Sequence, residues 1–139
     1  MNKALLDTDT LSEIGKGLNP TIAANAMAYR RDYGHYTTST LSVMEIVRGF
    51  QRIGSTRRLQ QFVASLAILE VLHFDQTSAK LAGRIAGDLE RAGLTIGLID
   101  PMIAVVALTH ELELVTGNTN HFLRIQQLGY PLTLANWRS

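Results

Sequence analysis

Short apolar runs alternate with longer amphipathic ones along the 139 residues. Lys3 to Leu6 reads as a short buried strand that stops at Asp7. Thr10-Leu11-Ser12-Glu13 has the form of a capping box and predicts a short helix closing near Gly15 or Gly17. Ile22, Ala26 and Tyr29 recur at helical spacing, so Pro20 to Tyr33 is predicted helical, ending at Gly34. Tyr36 to Ser39 is a second strand. Ser42-Val43-Met44-Glu45 is a second capping box, opening a helix through Ile46, Val47 and Phe50 toward Gly54. Ser55 or Thr56 caps the next helix, which carries Leu59, Phe62, Val63 and Leu66. A third strand is expected over Leu69 to Phe74 and a long helix over Asp75 to Ala92. Asp100-Pro101 looks like an N-cap followed by a first-turn proline. Leu112 to Val115 is a fourth strand. Asn118 or Asn120 starts a short helix ending at Gly129, and Leu132 to Leu134 is a fifth, edge strand.

Strands regularly separated by helices predict an α/β protein with a parallel sheet. In such sheets ligands bind outside the carboxyl ends of the strands, where the strand order switches. The residues at those ends are therefore the candidates. Asp7 closes the first strand, and Glu45 lies one helical turn beyond the second. Asp100 opens the helix before the fourth strand, which Thr116 and Asn118 follow.

Composition narrows the chemistry. The length fits one domain, by the usual prior of roughly 100–200 residues per domain. Lys and Arg number 13 against 12 Asp and Glu, which excludes a strongly basic tail and a strongly acidic one. There is no cysteine, so disulfides, thiolate metal sites and cysteine nucleophiles are all excluded. The N-terminal run is too short and too soon interrupted by Asp7 for a signal peptide. The most apolar stretch, Ile99 to Leu108, is about half of the ~20 residues a membrane span needs. A soluble, cytoplasmic protein is expected.

Converging carboxylates repel one another and persist where they share protons or bind cations. With hard oxygen donors, no cysteine and no histidine pair at ligand spacing, the cation is expected to be Mg²⁺ or Mn²⁺. That suits phosphodiester chemistry, in which a metal activates water and neutralises the leaving oxygen. Each acid also has a plainer reading. Glu45 fits a capping box and Asp100 fits an N-cap. Asp7 resists one, because an acid directly after Leu5-Leu6 is nearly buried, and buried charge is costly unless paired. Asp9 is expected behind the ligands. His121 is a base, a phosphate contact or a surface residue. Neither Ser39 nor Ser42 has the His–Asp partners of a serine hydrolase.

Four segments together resemble a known family. Leu5-Leu6-Asp7-Thr8-Asp9-Thr10-Leu11-Ser12-Glu13 resembles the opening of PIN-domain ribonucleases, in particular the VapC-type toxins. Ser39-Thr40-Leu41-Ser42-Val43-Met44-Glu45-Ile46-Val47-Arg48-Gly49 resembles their second block. Ile96-Gly97-Leu98-Ile99-Asp100-Pro101-Met102-Ile103-Ala104 resembles the third. Leu114-Val115-Thr116-Gly117-Asn118-Thr119-Asn120-His121-Phe122 resembles the fourth. The resemblance spans nearly the whole chain, in order.

It implies a single three-layer α/β/α domain over residues 1–139 with a central, mostly parallel sheet of about five strands. It also implies a Mg²⁺- or Mn²⁺-dependent endoribonuclease with Asp7, Glu45 and Asp100 as catalytic, metal-binding triad. A VapB-type antitoxin, an RNA substrate and a homodimer or toxin–antitoxin hetero-oligomer follow as expected partners. Many relatives carry a fourth acid where this chain has Asn118 or His121. Asn118 can still ligate through its side-chain oxygen, and His121 can meet a phosphate when protonated. Asp9, Ser42, Thr116 and His121 are expected behind the ligands or against substrate. One well-formed metal site is expected, with any second ion recruited by RNA.

Arg48, Arg52, Arg57 and Arg58 fall in Ile46 to Leu69, a stretch with no acid. Guanidinium groups suit bidentate phosphate or carboxylate contacts, so these are candidates for RNA or antitoxin. The same stretch holds more apolar residues than one helical stripe needs, as a groove for a partner helix or a second copy would. Two other readings compete. A haloacid-dehalogenase-like phosphatase shares the Asp-x-Asp opening, but the acidic pair it needs later is missing. A non-catalytic RNA- or protein-binding module on the same fold would have no reason to keep all three acids.

Overall fold

The computed structural model describes residues 1–139. Five strands appear in chain order: β1 (Ala4–Leu6), β2 (Thr37–Ser39), β3 (Glu70–Leu72), β4 (Glu113–Val115) and β5 (Leu134–Ala135). Between them lie α1 (Thr8–Lys16), α2 (Pro20–Tyr33), α3 (Thr40–Arg52), α4 (Thr56–Ser65), α5 (Gln76–Arg91), α6 (Ile99–Thr109) and α7 (Thr119–Gln127). A 3₁₀ turn, Leu66–Ile68, follows α4.

All strand pairings are parallel. One ladder runs β1-β4-β5 and another pairs β2 with β3. The two ladders meet where β2 lies along β1, and there the Thr38 hydroxyl donates to the Leu6 carbonyl at 3.0 Å. The spatial order is thus β3-β2-β1-β4-β5. The chain first moves outward from β1 through β2 and β3, then returns to fill the other side with β4 and β5. The order reverses between β1 and β4, and the crevice of an open α/β sheet belongs at that point.

Alternation along the strands builds two cores on opposite faces. Leu5 and Leu114 join Ile85, Leu89, Ile103, Val106, Phe122 and Ile125, supplied by α5, α6 and α7. Ala4, Leu6 and Val115 join Leu11, Ile22, Tyr29, Ile46 and Trp137 on the other face. Leu5, Leu6, Leu114 and Val115 have no exposed surface. Burying each such side chain contributes about 1.5–3 kcal/mol, so the two strands that flank the switch point are firmly held. The buried Tyr29 hydroxyl accepts from the Ala4 amide at 3.1 Å and donates to the Ala4 carbonyl at 3.2 Å, fixing the start of β1.

Three helix starts differ from the sequence expectation, each for a local reason. α1 begins at Thr8, not after Thr10, because Asp7 is its cap; Asp7 Oδ1 accepts from the Thr10 amide at 2.8 Å. α3 begins at Thr40 with Ser39 as cap, its hydroxyl oxygen accepting from the Ser42 amide at 3.3 Å. Ser42 is therefore inside the helix and Glu45 has no capping duty. α6 begins at Ile99, so Asp100 is in the first turn rather than at the cap, and Pro101 is the third residue. Both capping boxes were sequence patterns that a nearer cap pre-empted. α5 starts where expected, with Asp75 Oδ1 accepting from the Ser78 amide at 2.8 Å; α7 follows Asn118, the first of the two expected starts, but the Asn118 side chain makes no capping bond. β3 is shorter than expected, and β5 lies at Leu134–Ala135 rather than Leu132–Leu134. β5 pairs with β4 alone and is an edge strand, as expected.

The α3–α4 arm is lightly packed. No α4 residue is buried, and Ile53, Val63 and Ile68 are at least half exposed.

Candidate active site

Asp7 is fixed from both sides. Its amide continues the β1–β4 ladder by donating to the Val115 carbonyl at 3.1 Å, and its carbonyl accepts from the Leu11 amide at 3.0 Å. A residue so pinned between a strand and a helix points its carboxyl out of the sheet end. Only 5% of Asp7 is exposed. Burial pushes its carboxyl above the ordinary range, and the neighbouring Asp9 adds to the rise. Hydrogen bonds from Thr116 and Thr10 work against both.

Around Asp7 lies a cleft of about 90 Å³ lined by Thr8, Asp9, Glu45, Asp100, Ile103, Asn118 and Phe122 as well. It gathers the end of β1, the first turn of α1, the second turn of α3 and the beginnings of α6 and α7, at the switch in strand order. Glu45 comes from the second turn of α3. Its Oε1 is 2.5 Å from Thr8 Oγ1, which is in turn 3.0 Å from Ser42 Oγ. A hydroxyl has one proton to give, so Thr8 donates to the carboxylate and accepts from Ser42. Asp100 enters from the first turn of α6, where a negative charge is favoured by the helix dipole. Its Oδ2 lies 3.0 Å from His121 Nδ1, and the Asn118 side-chain amide lies 2.8 Å from the same nitrogen. Thr116 is fully buried behind Asp7, and its hydroxyl oxygen accepts from the Asn118 amide at 2.9 Å.

The structure brings together Asp7, Glu45, Asp100 and Asn118 on one cleft, as the sequence reading required. Asp9, expected behind the ligands, lines the cleft itself. Ser42, Thr116 and His121 stand behind the lining residues and hold Thr8, Asp7 and Asp100. Arg48, Arg52, Arg57 and Arg58 do not line it; they are exposed on α3 and α4. Three lining residues were missed. Thr8 was visible only as the middle residue of Asp-Thr-Asp, and nothing in the pattern linked it to Glu45, 37 positions away. Ile103 and Phe122 read as core, which they are, and they also wall the cleft.

No Lys or Arg side chain pairs with Asp7, Asp9, Glu45 or Asp100; His121 alone reaches one of them. Four acids share a small cleft whose countercharge the chain does not itself provide. The lining donors are hard oxygens, which suits Mg²⁺ or Mn²⁺. No three acidic or histidine side chains close on one point. This is compatible with Mg²⁺, which keeps several waters and takes one or two carboxylates directly.

A family model described as the PIN domain matches residues 4–128. The tRNA(fMet)-specific endonuclease VapC of Shigella flexneri is 30% identical over 98 residues, covering 70% of this chain and 74% of that protein. Ribonuclease VapC10 of Mycobacterium tuberculosis is 28% identical over 138 residues, covering 96% of each chain. Among solved structures, DNA-bound VapBC from Salmonella typhimurium superposes with a TM-score of 0.80 at 28% identity, covering 99% of both chains. VapBC2 from Rickettsia felis, bound to a DNA fragment, has the same fold with a TM-score of 0.79 at 24% identity, covering 96% of this chain and 98% of that one. With the acids, the switch point and the matched segment agreeing, the chain belongs to the PIN domain family and is similar to its VapC ribonucleases.

Proposed function

We propose that this chain is a divalent-metal-dependent endoribonuclease of the VapC kind, cleaving RNA phosphodiester bonds and restrained by an antitoxin. The observation that carries the reading is the unpaired acidic cleft, in a chain similar to VapC ribonucleases over most of its length. Asp7, Glu45 and Asp100, with the side-chain oxygen of Asn118, would hold Mg²⁺ or Mn²⁺, one or two of the carboxylates directly and the other groups through the ion's waters. When bound, the ion supplies a water acidic enough to attack phosphorus and a charge to offset the leaving oxygen.

The chain's own residues prepare for this. Thr8, backed by Ser42, fixes the Glu45 carboxylate, and His121 fixes Asp100. Thr116 and Thr10 donate to Asp7 and so favour its ionised form against the cost of burial. The walls of Ile103 and Phe122 limit the water around the reacting phosphate. A VapB-type antitoxin is the proposed partner, as in the solved VapBC complexes, and the half-exposed apolar α3–α4 arm with Arg48, Arg52, Arg57 and Arg58 is its proposed seat or that of a second copy. Such an enzyme would act in the cytoplasm, where RNA and antitoxin are. No helix is long and apolar enough to cross a membrane.

The test is expression of the intact chain and of Asp7→Asn in a bacterial host, alongside RNA cleavage by the purified proteins with Mg²⁺, Mn²⁺ or chelator. Growth arrest and metal-dependent cleavage by the intact chain alone are expected. Equal growth and no cleavage would favour the non-catalytic binding module.

A further inference from the structure

The last four residues form a strap beside the cleft. Trp137 is 5% exposed and sits in the second core, its ring centroid 5.6 Å from that of Tyr29. Its carbonyl accepts from Asn25 Nδ2 at 3.0 Å. The next amide, of Arg138, donates to Asn136 Oδ1 at 2.9 Å. The backbone that carries Arg138 is therefore anchored to α2.

The Arg138 side chain turns across Gly117. A Cβ at residue 117 would lie 3.1 Å from Arg138 Nε and 3.3 Å from its Cζ, so the guanidinium rests on the bare glycine. Gly117 joins Thr116, which donates to Asp7, to Asn118, which lines the cleft. A cation is thus seated on the loop that frames the acids, without contacting any of them. Its one carboxylate neighbour is Glu13, at 3.9 Å from an Arg138 terminal nitrogen, and Glu13 also faces Lys16 at 3.5 Å. The Arg138 side chain remains 48% exposed, so donors are left over.

A strand of RNA crossing an acidic cleft needs positive charge beside it, since phosphate contacts supply the affinity and set the register. We propose that Arg138 binds a backbone phosphate of the RNA next to the one being cleaved, and that Gly117 is glycine so that the guanidinium can reach it. The inference rests on the ribonuclease reading and assigns it a substrate-binding residue outside the acidic cluster. A planar guanidinium lying over a backbone loop presents its remaining N–H groups in a fixed fork, which suits a phosphate better than a mobile ammonium would.

The experiment separates the two ideas. Binding of bulk bacterial tRNA as probe is measured across a salt series in an Asp7→Asn background, where nothing is cleaved. Arg138→Ala is expected to weaken binding about threefold to tenfold and to flatten the log–log salt dependence by about one unit, as loss of one phosphate contact does. Arg138→Lys should keep the salt slope while losing part of the affinity. Gly117→Ala should weaken binding by less, because an added methyl shifts the guanidinium only by a few tenths of an ångström, and adding Arg138→Ala to it should bring binding down to that of Arg138→Ala alone. A strap that only stabilises the fold would lower the melting temperature and leave the salt slope as it was. That result, or unchanged affinity in folded Arg138→Ala, overturns the inference while leaving metal-dependent cleavage by the intact chain standing. Absence of that cleavage overturns the ribonuclease reading instead.

Discussion

Asp7 serves as helix cap and as cleft acid, and the two duties come apart in a pair of substitutions. Asp7→Asn and Asp7→Ala both remove the buried charge. Asn keeps a side-chain oxygen for the Thr10 amide, now bonded at 2.8 Å, whereas Ala leaves that amide unsatisfied. Asn and Asp cap helices about equally well, and replacing either by Ala costs about 0.5–2 kcal/mol, typically near 1. For a chain of this size that difference is roughly 3–5 °C in melting temperature. Relief of the buried charge acts on both variants alike. Burial raises the carboxyl of Asp7 in the folded state above its unfolded value, so the native chain holds the extra proton. The native chain therefore loses stability as pH rises through the raised folded value. Without divalent metal, Asp7→Asn should match or exceed the native chain at neutral pH, by a margin that shrinks in mild acid. With excess Mg²⁺ the order should reverse, because only the native cleft gains binding energy; at a hundredfold excess over Kd that gain is about 2.7 kcal/mol. Thermal unfolding followed by far-UV circular dichroism, from mildly acidic to neutral pH, with chelator or with Mg²⁺, reads all of this. Equal stability of the Asn and Ala variants would refute the cap. A metal-free native chain more stable than both would refute the strained carboxylate.

Two further outcomes test the cleft. Thr8→Val deletes the hydroxyl that holds Glu45 and keeps the shape, so the Mg²⁺ concentration for half-maximal cleavage should rise about tenfold or more, the usual cost of losing a group that orients a metal ligand; an unchanged Mg²⁺ dependence would mean that Glu45 needs no such support. Titration of the RNA-free chain with Mg²⁺ or Mn²⁺ by calorimetry should give one site per chain, since positions 118 and 121 carry Asn and His and add no carboxylate for a second ion, and two tight sites would contradict this.

The sequence by itself determined which residue types alternate, and with them the number and kind of elements. Leu5-Leu6 ahead of Asp7 marked a strand closed by an acid that had no comfortable alternative partner. Asp100 and Glu45 were legible as candidates because they follow or precede apolar runs at strand ends. Their plainer readings as caps came from short-range patterns, and only the folded chain could dismiss them. A cap is decided by which oxygen reaches an amide, and at α3 the Ser39 hydroxyl does so ahead of Ser42, whereas α6 starts at Ile99 with no side-chain cap and so takes Asp100 into its first turn. That freed both acids for the cleft.

What tertiary structure alone decided is the meeting of residues far apart in sequence. Thr8 reaches Glu45, and His121 reaches Asp100, because β1, β4 and the starts of α3, α6 and α7 end at one switch in strand order. Arg138 reaches Gly117 only because Trp137 is buried against Tyr29. Periodicity reports which face of an element is apolar, but it says nothing about which polar ends share a crevice. Packing of the two cores on opposite faces of the sheet settles that, and here it sets an acidic cleft that no Lys or Arg neutralises beside the loop on which Arg138 rests.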